Sequence, residues 1–214
     1  MKWKEFLDQY GNLPIVEPQL VRAGVKNPES VHTQLRRWSK QGKLVKLARG
    51  KYIIAEPYRK RDLPAEYLAN QIVYPSYVSL DYALDYHGLI PEVAQIITSL
   101  TTSRPQKHRN PEGRFHYRHV KEGMFWGYYS DTSKGLEIVI AKPEKALLDK
   151  FYFLNGPITY ERIEGLRLQN LDEINPQTLN DFAERTGSKK LMKGSSKLAD
   201  FRKDFLEEYD IDER

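Results

Sequence analysis

The segment from Ser30 to Ala55 constrains the fold of this 214-residue chain more than any other part of its sequence. Its first half carries one apolar stripe at helical spacing, formed by Val31, Leu35 and Trp38. After Gly42 the pattern changes to two short runs, KLVKL and KYIIA, which are rich in β-branched and aromatic residues and flank a turn at Gly50. This change of period predicts an amphipathic helix followed by a glycine-tipped β-hairpin.

Positive charge is concentrated in the same part of the chain. The segment 30–55 contains seven Lys or Arg residues and no acid. Residues 1–61 hold 14 Lys and Arg against 5 Asp and Glu, a net charge of +9, while the whole chain carries +5. Residues 62–214 therefore carry −4, and this asymmetry predicts a nucleic-acid-binding module joined to a mildly acidic second part.

The N-terminal periodicity predicts two further helices before the basic one. Residues 3–10 have apolar side chains on one helical face and end at Gly11, and residues 17–23 start with a proline in the first turn. For the third helix, Asn27 is a candidate N-cap and Pro28 a candidate first residue. Three helices and a basic hairpin form the layout of a winged helix-turn-helix, predicted here as a domain over 1–61.

The remainder, 62–214, follows a polar segment with two prolines that reads as a linker, and is predicted as a second domain. Its patterns predict helices at 65–72, 79–87 and from Pro143, extended segments at 94–102, 114–121, 124–129 and 136–141, and helices in the tail at 160–164, 176–185 and 189–208. The expected fold class is therefore α+β. A winged helix-turn-helix is followed by a mixed α/β domain with a small antiparallel sheet and a helical C-terminal tail.

The third helix and the hairpin supply candidate DNA contacts. Arg37 can bind guanine with two hydrogen bonds and Gln34 can pair with adenine, while the other cations suit phosphates. The candidate set is Thr33, Gln34, Arg36, Arg37, Lys40, Lys43, Lys46, Arg49 and Lys51. An ordinary basic surface used for protein contacts is the alternative for the same residues.

A second basic group follows in the later part of the chain. It comprises Arg104, Lys107, Arg109, Arg114 and Arg118. On a strand, Arg114 and Arg118 would share one face, which suits a second polyanion contact. For Arg114 and Arg118 a half-buried strand with a polar outer face is the favoured explanation, and for Arg104, Lys107 and Arg109 a solvated loop is an equally ordinary one.

Nothing in the sequence predicts catalysis, a metal site or a cofactor. The chain has no cysteine, and His116 and His119 would lie on opposite faces of a strand. The segment PEKALLDK, with Glu144, Asp149 and Lys150, loosely resembles nuclease groupings, but five residues on a helix separate its carboxylates by about 140°. No signal peptide or apolar run of membrane-spanning length is visible, so a soluble cytoplasmic protein is expected.

Four ordered segments of the second half resemble the AbiEi family of antitoxins and transcriptional repressors, found in AbiE-type abortive-infection systems. They are YPSYVSLDYALDYHGLIPE (74–92), IITSLTTSR (96–104), GRFHYRHVKEGMFWGY (113–128) and IAKPEKALLDKFYF (140–153). The segment LARGKYIIA is also similar to that family's N-terminal domain. The resemblance covers roughly residues 3–155, with a weaker helical match beyond.

The resemblance implies a type IV toxin–antitoxin module. Its antitoxin binds inverted repeats in its own promoter through the winged helix, and its C-terminal domain opposes a nucleotidyltransferase-like AbiEii toxin without needing a stable complex. The family brings no catalytic residues, and its DNA contacts correspond here to the third helix and the hairpin. Two other functions remain open from the residues alone: a nucleic-acid-processing enzyme with a winged-helix domain, and an adaptor whose winged helix binds protein.

Overall fold

The computed structural model describes residues 1–212 and has an α+β architecture. The helices are α1 (Trp3–Tyr10), α2 (Pro18–Ala23), α3 (Val31–Lys40), α4 (Ala65–Ile72), α5 (Leu80–Tyr86), α6 (Pro143–Phe153), α7 (Tyr160–Glu164), α8 (Pro176–Arg185) and α9 (Lys189–Asp212). The strands are β1 (Leu44–Ala48), β2 (Lys51–Ile54), β3 (Tyr77–Val78), β4 (Ile97–Thr101), β5 (Gln106–Asn110), β6 (Gly113–His119), β7 (Tyr128–Asp131) and β8 (Ile138–Ala141). None of these helices combines the length and the apolar character that a bilayer span requires, as far as residues 1–212 are concerned.

The first half is built around its own apolar core, to which α1, α2, α3 and the hairpin β1–β2 all contribute. The buried residues of this first core are Phe6, Tyr10, Val16, Val21, Val31, Leu35, Trp38, Leu44, Tyr52 and Ile54. Val16 also forms an isolated antiparallel bridge with Tyr52, so the segment before α2 pairs with the hairpin. The stripe Val31, Leu35, Trp38 lies inside the protein, as its spacing predicts.

The hairpin β1–β2 is buried on both faces. Leu44 and Ile54 pair across the hairpin and belong to the first core, whereas Leu47 and Ile53 belong to the core of the second half. Side chains alternate between the two faces of a strand, so neighbouring residues serve different cores. The hairpin that the sequence groups with the first three helices therefore also helps to build the second half.

The second half contains a six-stranded sheet with the strand order β5-β6-β4-β3-β8-β7. Pairs β4–β6 and β3–β8 are parallel and the other neighbours are antiparallel. The prediction of a small antiparallel sheet is therefore wrong. The sequence patterns did not predict two of the strands. β3 is only two residues long, and the sequence of β5, QKHRN, is too polar to give a strand signal.

Helices cover both faces of this sheet. On β6, the Tyr117 hydroxyl donates to the carbonyl of Ala69 in α4, whereas the guanidinium of Arg118 lies over the Phe153 ring of α6. Adjacent residues of a strand point to opposite faces, so α4 and α6 pack on different sides of the sheet. The predicted helices of the tail are confirmed, and the last of them, α9, extends to Asp212.

Three local predictions differ from the structure. A 3-10 turn occupies Pro28–Ser30, so α3 begins at Val31 and the Asn27 side chain makes no capping hydrogen bond. The helix predicted over 79–87 begins only at Leu80, and the hydroxyl of Ser79 before it donates to Asp149 and makes no capping hydrogen bond. The segment read as a linker is held in place, since Arg59 binds Glu112 from the second half.

Candidate nucleic-acid interface

Helix α3 separates apolar and cationic side chains onto opposite faces. The exposed side chains include four at i, i+3, i+4 and i+7 spacing: Thr33, Arg36, Arg37 and Lys40. This spacing places them on one stripe of the helix, opposite the buried stripe. A cationic stripe on a rigidly packed helix is suited to binding a polyanion.

Trp38 fixes that helix against α1. Its ring lies 5.0 Å from that of Trp3 and 4.8 Å from that of Phe6, measured between centroids. The side chain is buried, so it is part of the first core and does not belong to the exposed face. Burial of an aromatic side chain of this size holds the orientation of the cationic stripe.

Gln34 differs from the other predicted contacts on α3. It is half-buried, and its Oε1 accepts a hydrogen bond from Arg37 Nη2 at 2.8 Å. The two residues predicted to read base edges therefore bind each other in the free protein. Gln34 lies three residues after Val31 and four before Trp38, so it borders the buried stripe of α3.

The hairpin presents two exposed cations, and two others that are engaged in contacts within the described residues. Lys46 and Arg49 are exposed, and Arg49 precedes Gly50, whose φ of 73° makes the tight turn possible. Lys43 lies with Nζ 5.5 Å from the centroid of the Trp3 ring, and Lys51 Nζ donates to the carbonyl of Gln71 at 2.8 Å. The intramolecular contacts of Lys43 and Lys51 remove these two from the set best suited to phosphates.

The second basic group belongs mainly to another hairpin, β5–β6. Lys107 pairs with His116 and Arg109 with Arg114, so these side chains share one face of the hairpin. All the Lys and Arg of the group are exposed: Arg104, Lys107, Arg109, Arg114 and Arg118. The predicted basic loop is thus largely a strand at the edge of the sheet, and the half-buried-strand interpretation holds for β6, where Phe115 is buried.

Two histidines of this second hairpin favour their neutral form. Burial lowers the pKa of His116, and the neighbouring charges of Lys107 and Arg114 lower it further. Burial also lowers the pKa of His108. His116 lies in the row of cations, so its protonation would add another charge to that row.

The two basic hairpins meet at one cleft. Lys46 of β1 and Arg109 of β5 both line it, and its volume is about 620 Å³. Next to it, both Nη atoms of Arg59 donate to Glu112 Oε2 at 3.0 Å, with side chains only 13% and 12% exposed. This ion pair fixes the turn of β5–β6 against the first half and makes the two cationic surfaces neighbours.

The two carboxylates of the segment PEKALLDK, Glu144 and Asp149, lie in different surroundings. Asp149 is fully buried, Glu144 accepts from the backbone N–H of Asn175 at 2.9 Å, and Lys150 pairs with Asp81 on the surface. The described residues contain no cluster of three or more His, Asp or Glu in position to bind a metal ion. These groups do not converge on one site.

Asp149 instead belongs to a buried polar cluster that the sequence analysis missed. Its carboxylate accepts from Tyr77 at 3.0 Å, from Ser79 at 2.8 Å and from Lys145, whose ammonium also contacts the Tyr77 hydroxyl at 2.8 Å. Burial raises the pKa of Asp149 and lowers that of Lys145, and the attraction between the two opposes both shifts. Both side chains are 0% exposed, so no substrate reaches them in this conformation.

One signal could have identified part of this cluster. Lys145 and Asp149 are four residues apart on a predicted helix, which is the spacing of a helical ion pair. Tyr77 and Ser79 could not have been found, because only the sheet brings β3 beside α6.

Comparison with models of known protein families finds no match to this chain, and comparison with curated proteins finds none either.

Proposed function

We propose that this protein binds duplex DNA through a winged helix-turn-helix formed by residues 1–61, and that it is an AbiEi-like transcriptional repressor and antitoxin. The observation that carries the DNA-binding part is the exposed cationic stripe of α3, backed by a buried apolar stripe. The bridge between Val16 and Tyr52 supports the winged-helix assignment, because it adds a third extended segment to the hairpin.

Within this proposal, α3 enters the major groove and the hairpin tip follows the backbone or the minor groove. Arg37 is the residue that reads a base, since its guanidinium can bind guanine O6 and N7 together. Arg36, Lys40, Lys46 and Arg49 contact phosphates, which strengthens binding without selecting a sequence. For Arg37 to reach a base, its hydrogen bond to Gln34 must open or be shared.

The cationic row on β5–β6 extends this surface in the proposal. Lys107, Arg109 and Arg114 are exposed, and Arg109 lines the same cleft as Lys46. A duplex seated on α3 and the first hairpin could therefore continue along the second hairpin. In this proposal the partner of the row is the phosphate backbone, because the row presents exposed cations in series.

The antitoxin part rests on the sequence resemblance alone. It includes an inverted-repeat operator in the protein's own promoter and a nucleotidyltransferase-like toxin encoded nearby. In this proposal the second half neutralises the toxin without catalysis and without a stable complex. No observation favours the enzymatic alternative, since the cluster around Asp149 is closed to substrate.

The test of DNA binding uses the full chain and two fluorescent duplexes, one from the protein's own promoter and one of random sequence. Arg37→Ala should narrow the difference in binding free energy between them by about 1–3 kcal/mol. Lys40→Ala should weaken binding to both duplexes equally and reduce the slope of log K against log salt by about 0.9. A matched control, Lys193→Ala, removes an exposed lysine of α9 and should change neither.

Two outcomes would refute the DNA-binding proposal: affinity that does not depend on salt, or equal loss of affinity in the α3 variants and the α9 control. The antitoxin part has a separate test, in which the chain is co-expressed with the neighbouring toxin gene. Rescue of growth should persist in Arg37→Ala, because DNA binding and neutralisation use different halves. Failure of the unaltered chain to rescue growth would remove the antitoxin assignment while leaving DNA binding untouched.

A further inference from the structure

A cleft of the second half lies between the first part of α9 and the segment that follows α6. Its volume is about 520 Å³, which is within the range of small-molecule sites. The segment after α6 contributes residues 156–158, and α9 contributes four lysines: Lys189, Lys190, Lys193 and Lys197. Within residues 1–212, no Asp or Glu lines this cleft. The charge that lines it is therefore entirely positive.

These lysines have no carboxylate to balance them. Among the described residues none of the four forms an ion pair, although the half to which they belong carries a net charge of −4. Lys189, Lys193 and Lys197 follow one another at i+4 spacing on α9, where like charges repel. The nearby Asp200 instead accepts a hydrogen bond from the Tyr160 hydroxyl at 3.4 Å. The cluster thus opposes the stability of its own helix, and a bound anion would relieve the repulsion.

Two of the four ammonium groups are held in place by the backbone. Lys190 Nζ donates to the carbonyl of Leu154 and, at 3.4 Å, to that of Tyr152, while Lys197 Nζ donates to that of Ile158 at 3.1 Å. Both lysines are only half-buried. An ammonium group has three hydrogens to donate, so each of the two has at least one left for a ligand.

The shape of the cleft follows from close packing between α9 and the segment after α6. A Cβ on Gly194 of α9 would lie 2.3 Å from Ile158 Cδ1, so this approach requires glycine. Lys190 and Lys197 lie on either side of Gly194 in the chain and attach both ends of the segment to the helix. Lys189 and Lys193 are exposed, so their ammonium groups can close over a ligand.

A fifth cation stands next to these lysines. Arg162 Nη1 donates to the carbonyl of Asn155, which belongs to the same segment. Burial lowers the pKa of Lys190, and the charge of Arg162 lowers it further. Repulsion between cations is therefore felt inside the cluster itself.

We propose that this cleft binds a short chain of phosphates, such as that of a nucleoside triphosphate or of inorganic polyphosphate. Such a chain carries several negative charges within a few ångströms, which matches the density of cations in the cleft. Lysine binds phosphate as a point charge with rotatable donors, whereas planar carboxylates are matched better by the fork of arginine. Lys190 and Lys197 act as fixed donors, and Lys189 and Lys193 complete the site from the exposed side of α9. This inference does not rest on the proposed function.

The binding test titrates the full chain with tripolyphosphate in a calorimeter, at physiological ionic strength and without divalent cations. Binding should saturate. Citrate, a polyanion that carries carboxylates, is the control and should bind at least tenfold more weakly. Absence of saturable binding, or equal affinity for the two anions, would overturn the proposal.

Matched variants distinguish the cleft from the basic surface of the hairpins. Replacing both Lys189 and Lys193 by Ala should weaken tripolyphosphate binding at least tenfold, since losing one hydrogen bond between charged groups weakens binding by about that factor. Replacing both by Arg keeps the charge and should preserve most of the affinity. The control replaces Arg109 and Arg114 by Ala and should change it less than twofold. If the control loses as much as the Lys189 and Lys193 variant, the anion does not bind in the cleft.

Two further ligands identify the source of the phosphates. ATP that binds more tightly than tripolyphosphate would support a nucleotide, and equal affinity would support the phosphate chain alone. Single-stranded RNA that displaces tripolyphosphate at a lower phosphate concentration would overturn the proposal in favour of a nucleic acid. The Lys189 and Lys193 variant should keep its affinity for promoter DNA, so failure of the cleft and failure of the proposed function are separate results.

Discussion

The two basic hairpins of this protein, β1–β2 and β5–β6, are both rich in Lys and Arg and differ in the structure. Both are antiparallel, but β1, β2 and β6 contain residues that favour strands, whereas β5 is polar throughout. In β1–β2 both faces carry buried residues, and of its four cations only Lys46 in the middle of β1 and Arg49 at the turn are exposed. In β5–β6 one face is buried through Phe115 and Tyr117, and the cations occupy the other face.

This difference shows that the number of cations in a hairpin does not predict how many are available to a ligand. Lys43 and Lys51 are engaged with Trp3 and with the end of α4, while Lys107 and Arg109 remain exposed on the outermost strand. The first hairpin stabilises the junction between the two halves and offers two free cations. The second hairpin presents a row of exposed cations.

The largest effect is expected from the buried face of the first hairpin. Ile53→Ala should lower the free energy of unfolding by about 2–5 kcal/mol, because Ile53 is fully buried in the second core. Lys46→Ala in the same hairpin should change it by less than about 0.5 kcal/mol. Chemical denaturation followed by circular dichroism measures both. Equal small effects would mean that the hairpin does not contribute to the second core.

The next effect concerns the ion pair that joins the two hairpins. A double-mutant cycle with Arg59→Met and Glu112→Gln should give a coupling energy of about 1.5–3 kcal/mol, since both side chains are largely withdrawn from water. The exposed pair Arg167–Glu92 serves as the control and should show almost no coupling. Similar coupling in the two cycles would contradict a special role for the junction.

A smaller effect should distinguish the row on β5–β6 from other surface cations. Replacing both Arg109 and Arg114 by Ala should reduce the slope of log K against log salt for DNA binding by about 1.8, which corresponds to two phosphate contacts. The control removes Lys189 and Lys193, two exposed lysines of α9, and should leave the slope unchanged. If the Arg109 and Arg114 variant binds like the control, α3 and the first hairpin bind DNA without the second.

The smallest expected effect is a dependence of DNA binding on pH. The pKa of His116 is lowered in the free protein, so this side chain is neutral at pH 7 and gains its charge as the pH falls. Next to phosphates the charged form is favoured, so binding takes up a proton and affinity rises towards acid pH. The salt slope should then be steeper at pH 5.5 than at pH 7.5, by at most about 0.9.

Because His32 lies on the exposed side of α3, the measurement is made in a His32→Gln background. In that background, adding His116→Gln should remove the dependence on pH. A dependence that survives both substitutions would have to come from a group outside the row.

The regular elements whose cause is local could be predicted from the sequence alone. Helices such as α4 and α8 begin and end where the periodicity and the turn residues predict, and the buried stripe of α3 follows from its spacing. The exposed stripe of α3 was equally predictable. A helix that buries one face must expose the opposite one.

Which polar groups are available to a partner depends on the tertiary packing and could not be predicted. Gln34 is half-buried because α2 and α1 pack beside it, and Lys51 is engaged because α4 ends next to β2. The pairing of β3 with β8 brings Tyr77 to the buried ion pair of Lys145 and Asp149, although it is 68 residues from the lysine. A sequence pattern records the spacing of neighbours along the chain, whereas these contacts depend on which elements are adjacent in space.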